Sequence, residues 1–157
     1  MNKKITIAID AMGGDDAPKK NIEGLDIVLK KNSYKDDFSI HLFGDEDILK
    51  RELVKKNIKS NLIKIIHTNG IVSDKESPLT AIKNSKNTSM WNAVKSQVEG
   101  NTDITLSAGH PGVLLVISTM ILKMMQAVSR PALAGLLPRN KGTSVVLDVV
   151  PNMLLDE

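Results

Sequence analysis

The residues of this sequence best suited to chemistry lie in short stretches that follow apolar runs. The first is Asp10-Ala11-Met12-Gly13-Gly14-Asp15-Asp16-Ala17-Pro18. Ile5, Ile7 and Ile9 before it suit a short buried strand. Gly13-Gly14 makes a turn in which backbone can approach a ligand closely. Asp15 or Asp16 is placed to cap the next helix, and Pro18 fits its first turn, where a missing N–H costs nothing. Strand, glycine turn and helix N-terminus in series aim amide donors and a dipole at one point. That arrangement suits an anion, above all phosphate. A tight turn without a ligand needs the same residues, so shape alone leaves both readings open. Asp10, at the strand's end, can orient a ligand or cap a helix.

A second stretch, Ser107-Ala108-Gly109-His110-Pro111-Gly112, stands at the carboxyl end of the strand-like run Asp103–Leu106. Open α/β sheets place their ligands at such ends. Between the two lies the polar segment Thr80–Met90, with Lys83, Lys86 and Ser89. Its lysines can neutralise an anion or simply be solvated. A third turn follows Val145-Val146-Leu147-Asp148, with Asn152 beyond it. His41 and His67 sit in or beside strands and read as structural. Met124-Met125 reads as core packing, with contact to an apolar ligand as the other reading. The sequence holds no metal constellation, and nothing in it calls for a cofactor.

The elements that must carry these stretches follow from periodicity. Ala17–Lys31 reads as a helix with an apolar stripe of Ile22, Leu25, Val28 and Leu29. Phe38–Phe43 is a second strand, Glu46–Asn57 a helix turning Ile48, Leu49 and Leu53 inward, and Leu62–His67 a third strand. Thr68–Ser77 is loop, and Ser77-Pro78 opens a short helix through Lys83. Met90–Glu99 is a helix closed by Gly100. Val113–Val128 reads as a central buried helix, too short in its apolar run for a membrane span, which takes about 20 residues. Pro131–Pro138 is loop or short strand, and Thr143–Val149 a last strand. Strand–helix alternation at this spacing indicates a parallel sheet covered on both faces.

Composition sets the outer limits. The 157 residues are one domain's worth, and aromatics at 3% leave an aliphatic core. The absence of cysteine excludes disulfides and thiolate chemistry. The net charge of +3 arises from lysines, with no basic cluster interleaved with aromatics, which argues against nucleic acid as a partner. It is compatible with mild attraction to acidic partners or anionic lipid. Lys3-Lys4 precede only a short strand-like run rather than a signal peptide, so a cytoplasmic protein is expected.

The string Ile9-Asp10-Ala11-Met12-Gly13-Gly14-Asp15, with Ala17-Pro18, resembles the bacterial phosphate acyltransferase family. That family transfers a fatty acyl group from acyl carrier protein to inorganic phosphate, giving acyl phosphate for phospholipid synthesis. The resemblance runs along nearly the whole chain, while the family's proteins are roughly twice as long. It implies a three-layer αβα fold with a largely parallel sheet, like that of the isocitrate and isopropylmalate dehydrogenases. Residues 1–157 would be the N-terminal part of that domain, the C-terminal half being absent. The implied substrate-binding residues are Asp10, Gly13, Gly14, Lys83, Lys86, Ser89, Ser107, Ala108, Gly109 and His110. The implied partners are acyl carrier protein, inorganic phosphate and a second copy, with peripheral membrane contact in the full-length family.

This sequence departs from the family pattern at three places. His110-Pro111 replaces Asn-Thr, and proline removes a backbone donor. His110 can donate in its place. Thr80 and Ser85 stand where the family carries positive charge, and Val150-Pro151 replaces Gly-Ala. Three functions therefore stay open: the acyl transfer itself, an inactive truncated remnant, and an anion-binding domain without catalysis.

Overall fold

The computed structural model describes residues 4–31, 38–72, 83, 85–128 and 131–147. Among the described residues, the strands and helices of its first unit, to Leu122, are β1 (Ile5–Asp10), α1 (Lys19–Lys30), β2 (Phe38–Gly44), α2 (Glu46–Lys55), β3 (Ile63–His67), α3 (Ser89–Val98), β4 (Ile104–Ser107) and α4 (Pro111–Leu122). The sheet order is β3-β2-β1-β4 and every pairing is parallel. The expected helix from Ser77 lies outside the described residues except for Lys83, as do Thr80, Asp148 and Asn152.

Alternation along the strands sends side chains to two different layers. On one face Ile40 and Leu42 of β2 pack with Ile22 and Leu25 of α1, Leu49 and Leu53 of α2, and Ala11 and Met12 of the β1 turn. On the other, Ala8 and Phe43 meet Ala93 of α3. Farther out Met90 and Val94 of α3 pack on Val113 and Ile117 of α4. The result is an α/β fold whose parallel sheet is flanked by helices on both faces. Of the stripe expected in α1, Val28 is exposed, and the burial centres on Ile22 and Leu25.

Caps set the helix starts. The Asp45 carboxylate accepts from the Ile48 amide at 2.9 Å, and His67 Nδ1 accepts from the Glu46 amide at 3.2 Å. His67 is thereby a structural residue, as its position beside a strand suggests. Thr88 Oγ1 accepts from the Trp91 amide and donates to the Ser85 carbonyl at 2.6 Å. Neither Asp15 nor Asp16 caps α1, contrary to expectation. Pro18 takes the N-cap position with no side-chain cap, and Asp16 instead pairs with Lys20 at 3.0 Å on the surface.

α4 also differs from expectation. It stops at Leu122 rather than Val128, and Lys123 and Ala127 both take positive φ. The sequence there is apolar on every side and carries no Gly or Pro stop, so periodicity gives no end point. Nor is α4 central: Gly112, Val113 and Ile117 are buried, whereas Met120 is exposed. Among the described residues no helix is long and apolar enough to cross a membrane.

The second unit begins at Lys123. It contains an antiparallel hairpin, β5 (Ala134–Pro138) with β6 (Thr143–Leu147), in the register Ala134↔Leu147 to Pro138↔Thr143. The Arg139 amide closes the turn on the Gly142 carbonyl at 3.0 Å.

Leu49 is fully buried where α1, α2 and β2 converge. Leu49→Ala is expected to cost about 2–5 kcal/mol of unfolding free energy. Chemical denaturation measures it, and a loss within experimental error would contradict this core.

Candidate anion site at the switch point

From β1 the chain proceeds outward through β2 to β3, then returns to place β4 on the other side of β1. The order reverses between β1 and β4, and the loops leaving their carboxyl ends meet at that point. Open α/β sheets bind ligands at such a point. Both loops singled out from the sequence lie here. Their last strand residues, Asp10 and Ser107, are register partners.

Asp10 is 1% exposed. Ser107 Oγ donates to its Oδ2 at 2.7 Å, and the Gly109 amide in turn donates to Ser107 Oγ at 3.1 Å. Asp10 Oδ1 is buried and has no hydrogen-bond partner among the described residues. Burial pushes the Asp10 carboxyl above its ordinary value of 3.8. The hydroxyls of Ser89 and Ser107 and the amides of Met12 and Gly13 pull in the opposite direction.

The glycine turn packs on this pair. A Cβ on Gly13 would collide with Asp10 Oδ2 and lie 3.0 Å from the Gly109 amide nitrogen. Gly14 has φ +92°, and a Cβ there would come within 2.7 Å of the Ala108 carbonyl oxygen. These glycines thus serve first to bring two loops into contact. Asn21 of α1, which the sequence reading missed, pins the turn by donating from Nδ2 to the carbonyls of Ala11 at 2.9 Å and Gly13 at 3.0 Å. The signal available was an asparagine within a helix, where that side chain is unfavourable unless it bonds elsewhere. The Ala11 amide, donating to the Phe43 carbonyl at 3.0 Å, ties the same turn to β2.

His110 starts α4. Its Nδ1 accepts from the amides of Gly112 at 3.1 Å and Val113 at 3.4 Å, and its carbonyl accepts from the Leu114 amide. The imidazole therefore takes amides that an anion at this terminus would use, and Nε2 is the atom left to donate. Ser89 is buried at the start of α3 beside Asp10, so it joins the cluster. Ala108 is exposed, and so are Lys83 and Lys86, which precede α3. Ser85, which stands where the family carries positive charge, is fully buried and its carbonyl serves the Thr88 cap. Among the described residues no group of three or more His, Cys, Asp or Glu could hold a metal ion.

The raised Asp10 value has a stability consequence. Between 3.8 and its higher folded value the native state binds this proton more tightly than the unfolded chain does. The group therefore carries no penalty below 3.8, and a growing one as pH rises through that window. Relative to the parent protein, Asp10→Asn is expected to gain stability as pH increases from below 3.8 toward neutrality, as read from paired denaturant titrations. A difference that stays flat with pH would contradict the raised value.

Comparison with known proteins adds to this geometry. Residues 5–155 match the family model described as "Fatty acid synthesis protein". The chain is 42% identical over 153 residues to the phosphate acyltransferase of Pelagibacter ubique, covering 98% of this chain and 44% of that protein. It is 38% identical over 151 residues to the phosphate acyltransferase of Caldanaerobacter subterraneus, covering 96% and 43%, respectively. To that of Parvibaculum lavamentivorans it is 37% identical, covering 95% and 41%. The chain thus spans less than half the length of these curated relatives, matched almost from end to end of its own sequence. This chain belongs to the fatty acid synthesis protein family.

Proposed function

We propose that the chain is the N-terminal part of a phosphate acyltransferase that moves a fatty acyl group from acyl carrier protein to inorganic phosphate. The observation that carries this reading is the meeting of the Gly13-Gly14 and Ala108-Gly109 loops over Asp10 at the switch point. Relatives bearing the name phosphate acyltransferase support it. The finer fold assignment, to the isocitrate and isopropylmalate dehydrogenase type, belongs to the same reading.

Inorganic phosphate is anionic at neutral pH and needs positioning more than deprotonation. An oxygen of hydrogen phosphate attacks the thioester carbonyl, the C–S bond breaks, and the carrier's sulfur leaves as a thiol bearing the proton that hydrogen phosphate gives up. Backbone at Gly14 and Ala108 would hold phosphate or the developing oxyanion, with the Gly13 and Gly109 amides held beneath them by Asp10 and Ser107, and no general base is assigned. Lys83 and Lys86 would neutralise charge on phosphate or on an acidic carrier protein. A cytoplasmic location, a homodimer and peripheral membrane contact complete the proposal for the whole protein.

One observation favours a second reading, an anion-binding domain without turnover. The His110 ring occupies the first amides of α4, where an oxyanion could otherwise be stabilised.

Purified 157-residue protein with acyl-acyl carrier protein and phosphate, trapped with hydroxylamine, separates the two. Enzyme-dependent acyl phosphate is expected. Phosphate binding by calorimetry without acyl phosphate would replace the transferase reading with the second one. Gly13→Val, whose Cβ collides with Asp10 Oδ2, is expected to abolish phosphate binding. Unchanged binding would refute the role of this turn.

A further inference from the structure

We propose that Asp10 is a positioning residue that joins the β1 and β4 loops into one ligand-facing surface, acting through Ser107 on the Gly109 backbone. The inference rests on the transferase reading for its ligand and goes beyond it by separating support from contact. At 1% exposure Asp10 is sealed from any ligand, so its effect must pass through its neighbours.

The geometry gives a path. Ser107 Oγ donates to Asp10 and accepts from Gly109, so its hydroxyl direction is set at one end by the carboxylate and at the other by an amide. Without an acceptor at Asp10 that hydroxyl rotates freely and its hold on Gly109 loosens. The same Oδ2 occupies the space beneath Gly13, so one oxygen supports both turns. A stability argument alone does not account for an acid here. Hydroxyls and amides surround it, burial raises its pKa, and Oδ1 has no hydrogen-bond partner among the described residues. A well-packed apolar side chain would avoid these costs. What the carboxylate adds is a fixed acceptor between two loops.

The test is a double-mutant cycle on the full chain, using kcat/KM for inorganic phosphate in acyl phosphate formation. Asp10→Ala and Ser107→Ala are each expected to lower it by about tenfold to a hundredfold, the range for misplaced positioning groups. The double variant is expected to be no worse than the poorer single, because both act along one path. Ser107→Thr, which keeps a hydroxyl, is expected to recover most of the loss. Asp10→Asn, of nearly equal volume, guards against a folding defect and is checked by its thermal transition. Multiplying effects in the double variant, or an Asp10→Ala variant as active as the parent, would overturn the proposal. If the parent protein forms no acyl phosphate, the transferase reading fails separately, and the cycle is read in hydrogen exchange of the Gly109 amide. Equal acceleration by Asp10→Ala and Ser107→Ala sustains the path; unchanged exchange in Asp10→Ala overturns it.

Discussion

The hydrogen bond from Ser107 to Asp10 spans 97 positions of sequence and holds the structure's working end together. It can form only because β1 and β4 are neighbours, which requires the chain to leave β1 on one side and return on the other. That reversal in turn depends on two helical layers of sufficient apolar surface. α1 and α2 cover one face through Ile22, Leu25, Leu49 and Leu53, while α3 covers the other through Ala93. The meeting of the two loops is thus a product of packing before it is a product of chemistry.

Where the two loops meet, steric economy governs. Two glycine-bearing loops approach so closely that a methyl group on Gly14 would come within 2.7 Å of the Ala108 carbonyl oxygen. Asn21 holds the first loop from below, and Ser107 holds the second from the side. Such support from rigid elements is what a positioning mechanism needs, since the proposed reaction demands orientation rather than strong acid–base chemistry. The imidazole of His110 works differently. By capping α4 with Nδ1 it stabilises the helix start while claiming amides that would otherwise face solvent or ligand.

Much of this was legible in the sequence because the informative signals were local. Alternating Ile5, Ile7 and Ile9, the Gly13-Gly14 pair, and the spacing of Leu49 and Leu53 gave the parallel α/β class and both loops. The apolar run after Val113 lacked an end signal, so α4 was drawn six residues too long, to Val128 instead of Leu122. Asp15 and Asp16 had the right chemistry for a cap, yet the turn places Pro18 at that position. Asn21 and the burial of Ser85 were invisible because they depend on contacts the turn makes in three dimensions. The clustering of Asp10, Ser89, Ser107 and Gly109 could be guessed from the family string, but its hydrogen-bond order could not.

The proposed function requires the two loops to form one anion-binding surface. A titration of isotope-labelled protein with inorganic phosphate, following the backbone amides of Gly13, Gly14, Ala108 and Gly109 by NMR, tests this directly. All four are expected to shift together with a single dissociation constant. Shifts confined to one loop, or to surface lysines with both loops unmoved, would contradict it.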